Sequence, residues 1–78
     1  MITAQELLKD TSPGVWRKAS QVPKDQLFWL SSHPDPCVRH YAAQTCPENM
    51  LAAFVTDNDE DIITVIRNRL SRHMISLI

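Results

Sequence analysis

Pro23-Lys-Asp-Gln-Leu27-Phe-Trp-Leu30-Ser-Ser-His-Pro-Asp-Pro-Cys-Val38-Arg-His-Tyr-Ala42 is answered 24 residues later by Pro47-Glu-Asn-Met-Leu51-Ala-Ala-Phe54-Val-Thr-Asp-Asn-Asp-Glu-Asp-Ile62-Ile-Thr-Val-Ile66. Without a gap, Pro falls on Pro, Leu27 on Leu51, Leu30 on Phe54, Val38 on Ile62 and Ala42 on Ile66. The same apolar plan occurs upstream at an offset of 23, where Pro13, Val15 and Ala19 stand opposite Pro36, Val38 and Ala42. Glu6-Leu7-Leu8-Lys9-Asp10 takes the place of the segment around Leu30. A fixed period of this length is the signature of stacked supersecondary units.

The units are read as helical. Thr3 with Glu6 forms a capping box, and Ser12-Pro13, Asp35-Pro36 and Cys46-Pro47 each put a proline at the first helical position, where its missing N–H costs nothing. The last helix opens near Asn58 or Asp59 with acids in its first turn, where the macrodipole favours them. Helices are predicted at 4–10, 13–20, 24–32, 36–45, 48–56 and 60–76. One glycine and the lack of alternating β-branched runs leave no strand to propose. Helices this short are marginal alone, so the stack must hold them. The expected fold is all-α: a single domain over 1–78, built as a short right-handed α-solenoid of three helix pairs with units near 1–22, 23–46 and 47–78.

Composition narrows the function. The 78 residues suffice for one core, and 44% hydrophobic with 22% charged residues is ordinary globular usage. Eight Lys and Arg against nine Asp and Glu give a net charge of −1, so no global field draws the chain to nucleic acid or an anionic membrane. Neither a signal peptide nor a spanning helix is read, which makes the cytoplasm the expected compartment. Cys37 and Cys46 lie about 13 Å apart along a helix axis and cannot bridge while it stands.

From Asp35-Pro-Cys-Val-Arg-His-Tyr-Ala-Ala43 through Pro47-Glu-Asn-Met-Leu51 to Asp57-Asn-Asp59, the chain resembles the leucine-rich repeat variant family and the broader HEAT-like group. Residues 35–59 match the family's unit closely and 60–70 in part. The first unit departs from it, with Trp16 where Arg39 sits. The resemblance implies a right-handed superhelix of alternating helices with one surface free for a partner. Some members of that family carry an iron–sulfur cluster on a cysteine-rich segment; no such segment is present here, and no cofactor is carried over.

Chemistry-bearing residues are few. His33, Cys37, His40 and Cys46 are the one cluster of ligand-type side chains, with Cys37 and His40 three apart on one helical face, but their spacing fits no four-ligand pattern. Buried or capping roles account for them more simply. No nucleophile, base and orienting group are brought together by spacing, and no phosphate loop occurs, so catalysis is not expected.

Binding residues are the remaining candidates. Trp16 and Trp29 exceed what the repeat needs, since the next unit has Arg39 and Ala53 there; each either anchors a partner or covers an end of the core. On the last helix Arg69 and Arg72 share an edge beside Val65 while Arg67 points elsewhere. Those charges either contact phosphate or complement the helix end and nearby acids. Met74, Ile75 and Ile78 make an apolar tail suited to self-association or to tucking back.

The leading expectation is a cytoplasmic, bacterial adaptor or regulator. It would dock a protein on its helical surface through Trp16, Trp29, Arg39, Arg69 and Arg72, or pair with itself through Met74, Ile75 and Ile78. The alternative is a nucleic-acid-binding helical repeat using Arg39, Arg67, Arg69 and Arg72 on phosphates. A metal or redox module through Cys37 and His40 is the third.

Overall fold

The backbone of residues 1–76 and the side chains of residues 1–72 are described by a computed structural model. The six helical segments it contains are α1 (Ala4–Leu8), η1 (Val15–Gln21), η2 (Lys24–Ser32), α2 (Pro36–Thr45), η3 (Glu48–Phe54) and α3 (Glu60–Ser76), where η marks a 3₁₀ helix. The described residues contain no strand. Every expected segment is present, but half of them are wound more tightly than an α-helix.

The burial pattern of η2 and η3 suits the tight winding, whereas η1 buries Val15 and Ala19, four residues apart. With about three residues per turn, positions i and i+3 of a 3₁₀ helix lie above one another. Leu27 and Leu30 are the buried pair of η2, and Leu51 with Phe54 is the pair of η3. Two side chains on so narrow an edge are the fully buried anchors of these segments, with Gln26 and the partly buried Met50 adding to them. Free 3₁₀ runs of seven to nine residues are uncommon, so packing must sustain these.

The termini correct part of the expectation. Asp35 caps α2 as read, its carboxylate accepting from Cys37 N at 2.8 Å with Pro36 in the first turn. Thr3 Oγ1 accepts from Glu6 N at 3.2 Å. Pro13, however, lies outside its helix. Gly14 intervenes at φ 77°, a left-handed conformation suited to glycine, and η1 begins only at Val15. Pro47 is likewise the capping residue of η3 and not its first helical residue; its ψ of 150° is extended.

The segments form two layers. One holds α1, η2 and η3 in succession, the other η1, α2 and α3, and the layers meet at the pairs α1–η1, η2–α2 and η3–α3. Between them lie Leu7, Val15, Leu27, Leu30, Val38, Phe54 and Ile62, all but excluded from water. Each contributes roughly 2 kcal/mol by burial, which is what holds helices too short to stand alone. The molecule measures 42 × 24 × 17 Å with a radius of gyration of 12.4 Å, somewhat above the roughly 11.5 Å of a rounder chain of this length.

Polar side chains tie one pair to the next. Gln26 Oε1 accepts from Ala4 N at 3.0 Å, so η2 caps the start of α1. At the other end of α1, the buried ring of His33 lies 2.9 Å from the carbonyl of Leu7 and 3.1 Å from that of Asp10 through Nε2, while Nδ1 accepts from Asp35 N at 3.0 Å. An acceptor at Nδ1 leaves the proton on Nε2, which donates to the two carbonyls. Further along, Arg39 Nε meets Asp57 Oδ2 at 2.9 Å, and its Nη1 donates to the carbonyls of His33 and Pro34 at 2.9 and 3.3 Å. Arg69 Nη1 donates to the carbonyl of Ala43 at 2.8 Å and lies 3.6 Å from Cys46 Sγ.

Candidate functional site

An apolar concavity among the described residues lies on the η1, α2 and α3 layer. It is a groove of about 490 Å³, lined by Trp16 from η1, by Pro36, Cys37, His40, Tyr41 and Gln44 from α2, and by Asp59 and Asp61 at the start of α3. Helical spacing makes the wall, because Cys37, Tyr41 and Gln44 recur at four and three residues along one stripe of α2. Trp16 stands 45% exposed at its edge with the Arg17 guanidinium 5.5 Å from its ring centre. A second concavity shares Gln44 and continues along the same face past Val65, Asn68, Arg69 and Arg72. The groove thus joins an aromatic wall to the carboxylates of Asp59 and Asp61 at one end, and the neighbouring concavity carries Arg69 and Arg72.

Trp29 lies elsewhere. It is 51% exposed on η2, in the opposite layer, its ring tilted 35° against that of Phe28 at 4.7 Å between centres. The two tryptophans therefore do not form one patch.

The arginines divide. Arg39 and Arg69 are half-buried and engaged on protein carbonyls, with Asp57 and Cys46 as further contacts, so their charge serves the joints between pairs. Arg67 and Arg72 are exposed, on different faces as the spacing required: Arg67 borders Val55, Ile63, Ile66 and Leu70, whereas Arg72 borders the groove. Met74, Ile75 and Ile78 lie outside the residues whose side chains are described.

Cys37 is exposed and Cys46 buried, both free. Burial pushes the Cys46 thiol up, and the nearby Arg69 charge only partly opposes this. Among the described residues no three His, Cys, Asp or Glu side chains are grouped as metal ligands. His40 shares the groove with Cys37. Also among the described residues, no helix is long and apolar enough to cross a membrane.

The buried or capping role expected of His33 is what the structure shows, but its partners and those of Arg39 were not foreseen. Pro34 and Pro36 follow His33 and set it apart from the body of α2, yet it is the most buried polar residue among the described residues and joins three backbone groups. The pairing of Arg39 with Asp57 was also unforeseen. The 24-residue offset held the signal, since it sets His33 opposite Asp57 and Asp35 opposite Asp59. Asp59 N donates to Asp57 Oδ1 at 2.9 Å just as Asp35 N donates to His33, and Asp61 N donates to Asp59 Oδ1 as Cys37 N does to Asp35.

These features define an all-helical, two-layered protein with an aromatic groove on one layer. No family model matches the chain, no curated protein does, and no solved structure matches it.

Proposed function

We propose that this chain is a binding module, a short right-handed solenoid with a 24-residue unit that docks a protein partner on the face formed by η1, α2 and α3. The observation that carries the reading is the groove, in which an exposed Trp16 and the Tyr41 ring flank apolar surface on a rigid helical wall. Tryptophan and tyrosine are enriched among the residues that dominate protein–protein binding energy. The succession of the two layers, the matched hydrogen bonds 24 residues apart, and the resemblance of 35–59 to the leucine-rich repeat variant unit support the solenoid.

Docking needs no bond making and uses shape together with a few anchors. The nucleic-acid alternative gains no support, because two of the four arginines it requires, Arg39 and Arg69, are already engaged on groups of the protein itself. The test is capture on immobilised chain after nuclease treatment, comparing wild type with W16A, Y41A and W29A. Loss of the captured protein with W16A and Y41A but not W29A is the expected result. Capture abolished by nuclease, or falling steeply between low and moderate salt, would replace the reading with phosphate binding.

A further inference from the structure

One stripe of α3 carries a charge pattern that is its own complement. Asp61, Val65, Asn68 and Arg72 follow one another at four, three and four residues, so they stay within about 60° around the helix. Asp61, Asn68 and Arg72 are exposed, and Val65 is half-buried against the core. Neighbouring charges are occupied: Asp59 caps the helix and Arg69 reaches the carbonyl of Ala43. The Asp61 carboxylate and the Arg72 guanidinium have no hydrogen bond or ion pair among the described residues. They stand about 16 Å apart along the axis, one at each end of the stripe.

Turned end over end, the stripe exchanges its charges and keeps its middle. Val65 and Asn68 each lie four residues inside the nearer charged end, so an antiparallel copy would set acid against base at both ends and neutral residues at the centre. Antiparallel helices also oppose their macrodipoles favourably. We propose that the partner on this face is a second copy of the chain, its α3 lying antiparallel on α3 about a twofold axis. Asp61 of each copy is then opposite Arg72 of the other. The proposal rests on the docking reading above and names its partner. A foreign partner would have to supply this pattern; a second copy already has it.

An isologous contact of this kind closes as a dimer. A contact confined to one stripe of α3 covers less than the roughly 800 Å² per partner of a standard interface, so the expected dimer is a weak one.

Sedimentation velocity over a concentration series tests the pairing. D61R and R72D should each weaken the dimer by about tenfold, since each variant sets like charges together at both ends. An equimolar mixture of the two variants should recover the wild-type dimer, because D61R meets R72D with opposite charges at both ends; the D61R/R72D double variant should recover it alone. Recovery on mixing also shows that the single variants are folded. A wild type that stays monomeric throughout, or a dimer indifferent to D61R and R72D, overturns the pairing. Trp16-dependent capture of a different protein by a monomeric chain would overturn the second copy while leaving the docking reading in place.

Discussion

His33 and Asp57 occupy the same place in successive pairs and solve the same problem with opposite chemistry. Each accepts from the backbone N–H two residues ahead, and each reaches back to the preceding pair. His33 does so as a neutral ring donating to the carbonyls of Leu7 and Asp10, whereas Asp57 does so as a carboxylate holding Arg39. The choice follows from what the preceding pair presents. At the earlier joint the target is the carbonyl end of a five-residue helix, which needs a donor; at the later one it is a guanidinium, which needs an acceptor. At both places the backbone geometry is the same, and the side chain follows its target.

The largest effect should come from the histidine joint. H33A leaves the carbonyls of Leu7 and Asp10 without that donor and Asp35 N without its acceptor in a buried site, and should lower stability by roughly 3 kcal/mol in urea titration. H33D would put the later joint's residue into the earlier one. It keeps an acceptor for Asp35 N but turns a carboxylate toward two carbonyls, so it should destabilise at least as much as alanine; wild-type stability in H33D would break the comparison.

The carboxylate joint should yield less. Arg39 and Asp57 are 16% and 5% exposed at the side chain. Removing either leaves a largely buried charge unpaired, which after partial solvent screening should cost about 2 kcal/mol. A double-mutant cycle over R39M and D57A should return a coupling of about 1 kcal/mol, and additive losses would show that the pair contributes nothing as a pair.

Thiol labelling sharpens the contrast. In the native protein the exposed Cys37 should be alkylated quickly, whereas Cys46, buried and with its thiol pushed up, should wait for opening of the chain. Cys46 belongs to the later joint through Arg69, so D57A should speed its labelling more than H33A does, despite the smaller stability loss. Faster labelling in H33A would mean that the two joints open as one.

The smallest effect concerns Asp10, whose carbonyl serves the earlier joint. Lys18 at 2.7 Å, then the hydroxyl and amide of Ser12, hold its carboxyl well below the usual carboxylate range. The folded protein therefore binds that proton less readily than the unfolded chain. The contribution is complete at neutral pH and is lost progressively as the pH falls below about 4. D10N should flatten the acid side of the stability curve and leave its alkaline side unchanged.

Much of this was legible along the chain. The recurring Leu27 and Leu51, Leu30 and Phe54, Val38 and Ile62, and Ala42 and Ile66 are all buried, because the offset that aligns them also aligns their faces. Pro36 was read correctly, since Asp-Pro before an apolar run satisfies both the cap and the first turn. Pro13 was not. The following Gly14 takes a conformation that delays the helix, and adjacent residues alone gave no reason to prefer that path. Trp16 and Trp29 were legible as surplus to the repeat, but their assignment to different layers was not.

Periodicity determined that the chain is helical, where its elements lie and which edges are apolar, because these are local consequences of spacing along one backbone. Tertiary structure alone decided which segments tighten to 3₁₀ helices, since two apolar residues three apart suit either winding until a neighbour constrains them. It also decided which charges are spent within the fold and which remain on its surface. Arg39, Arg69 and Arg72 look alike in sequence, but only the approach of Asp57 and the His33 carbonyl to Arg39 and of the Ala43 carbonyl to Arg69 separates the first two from the third.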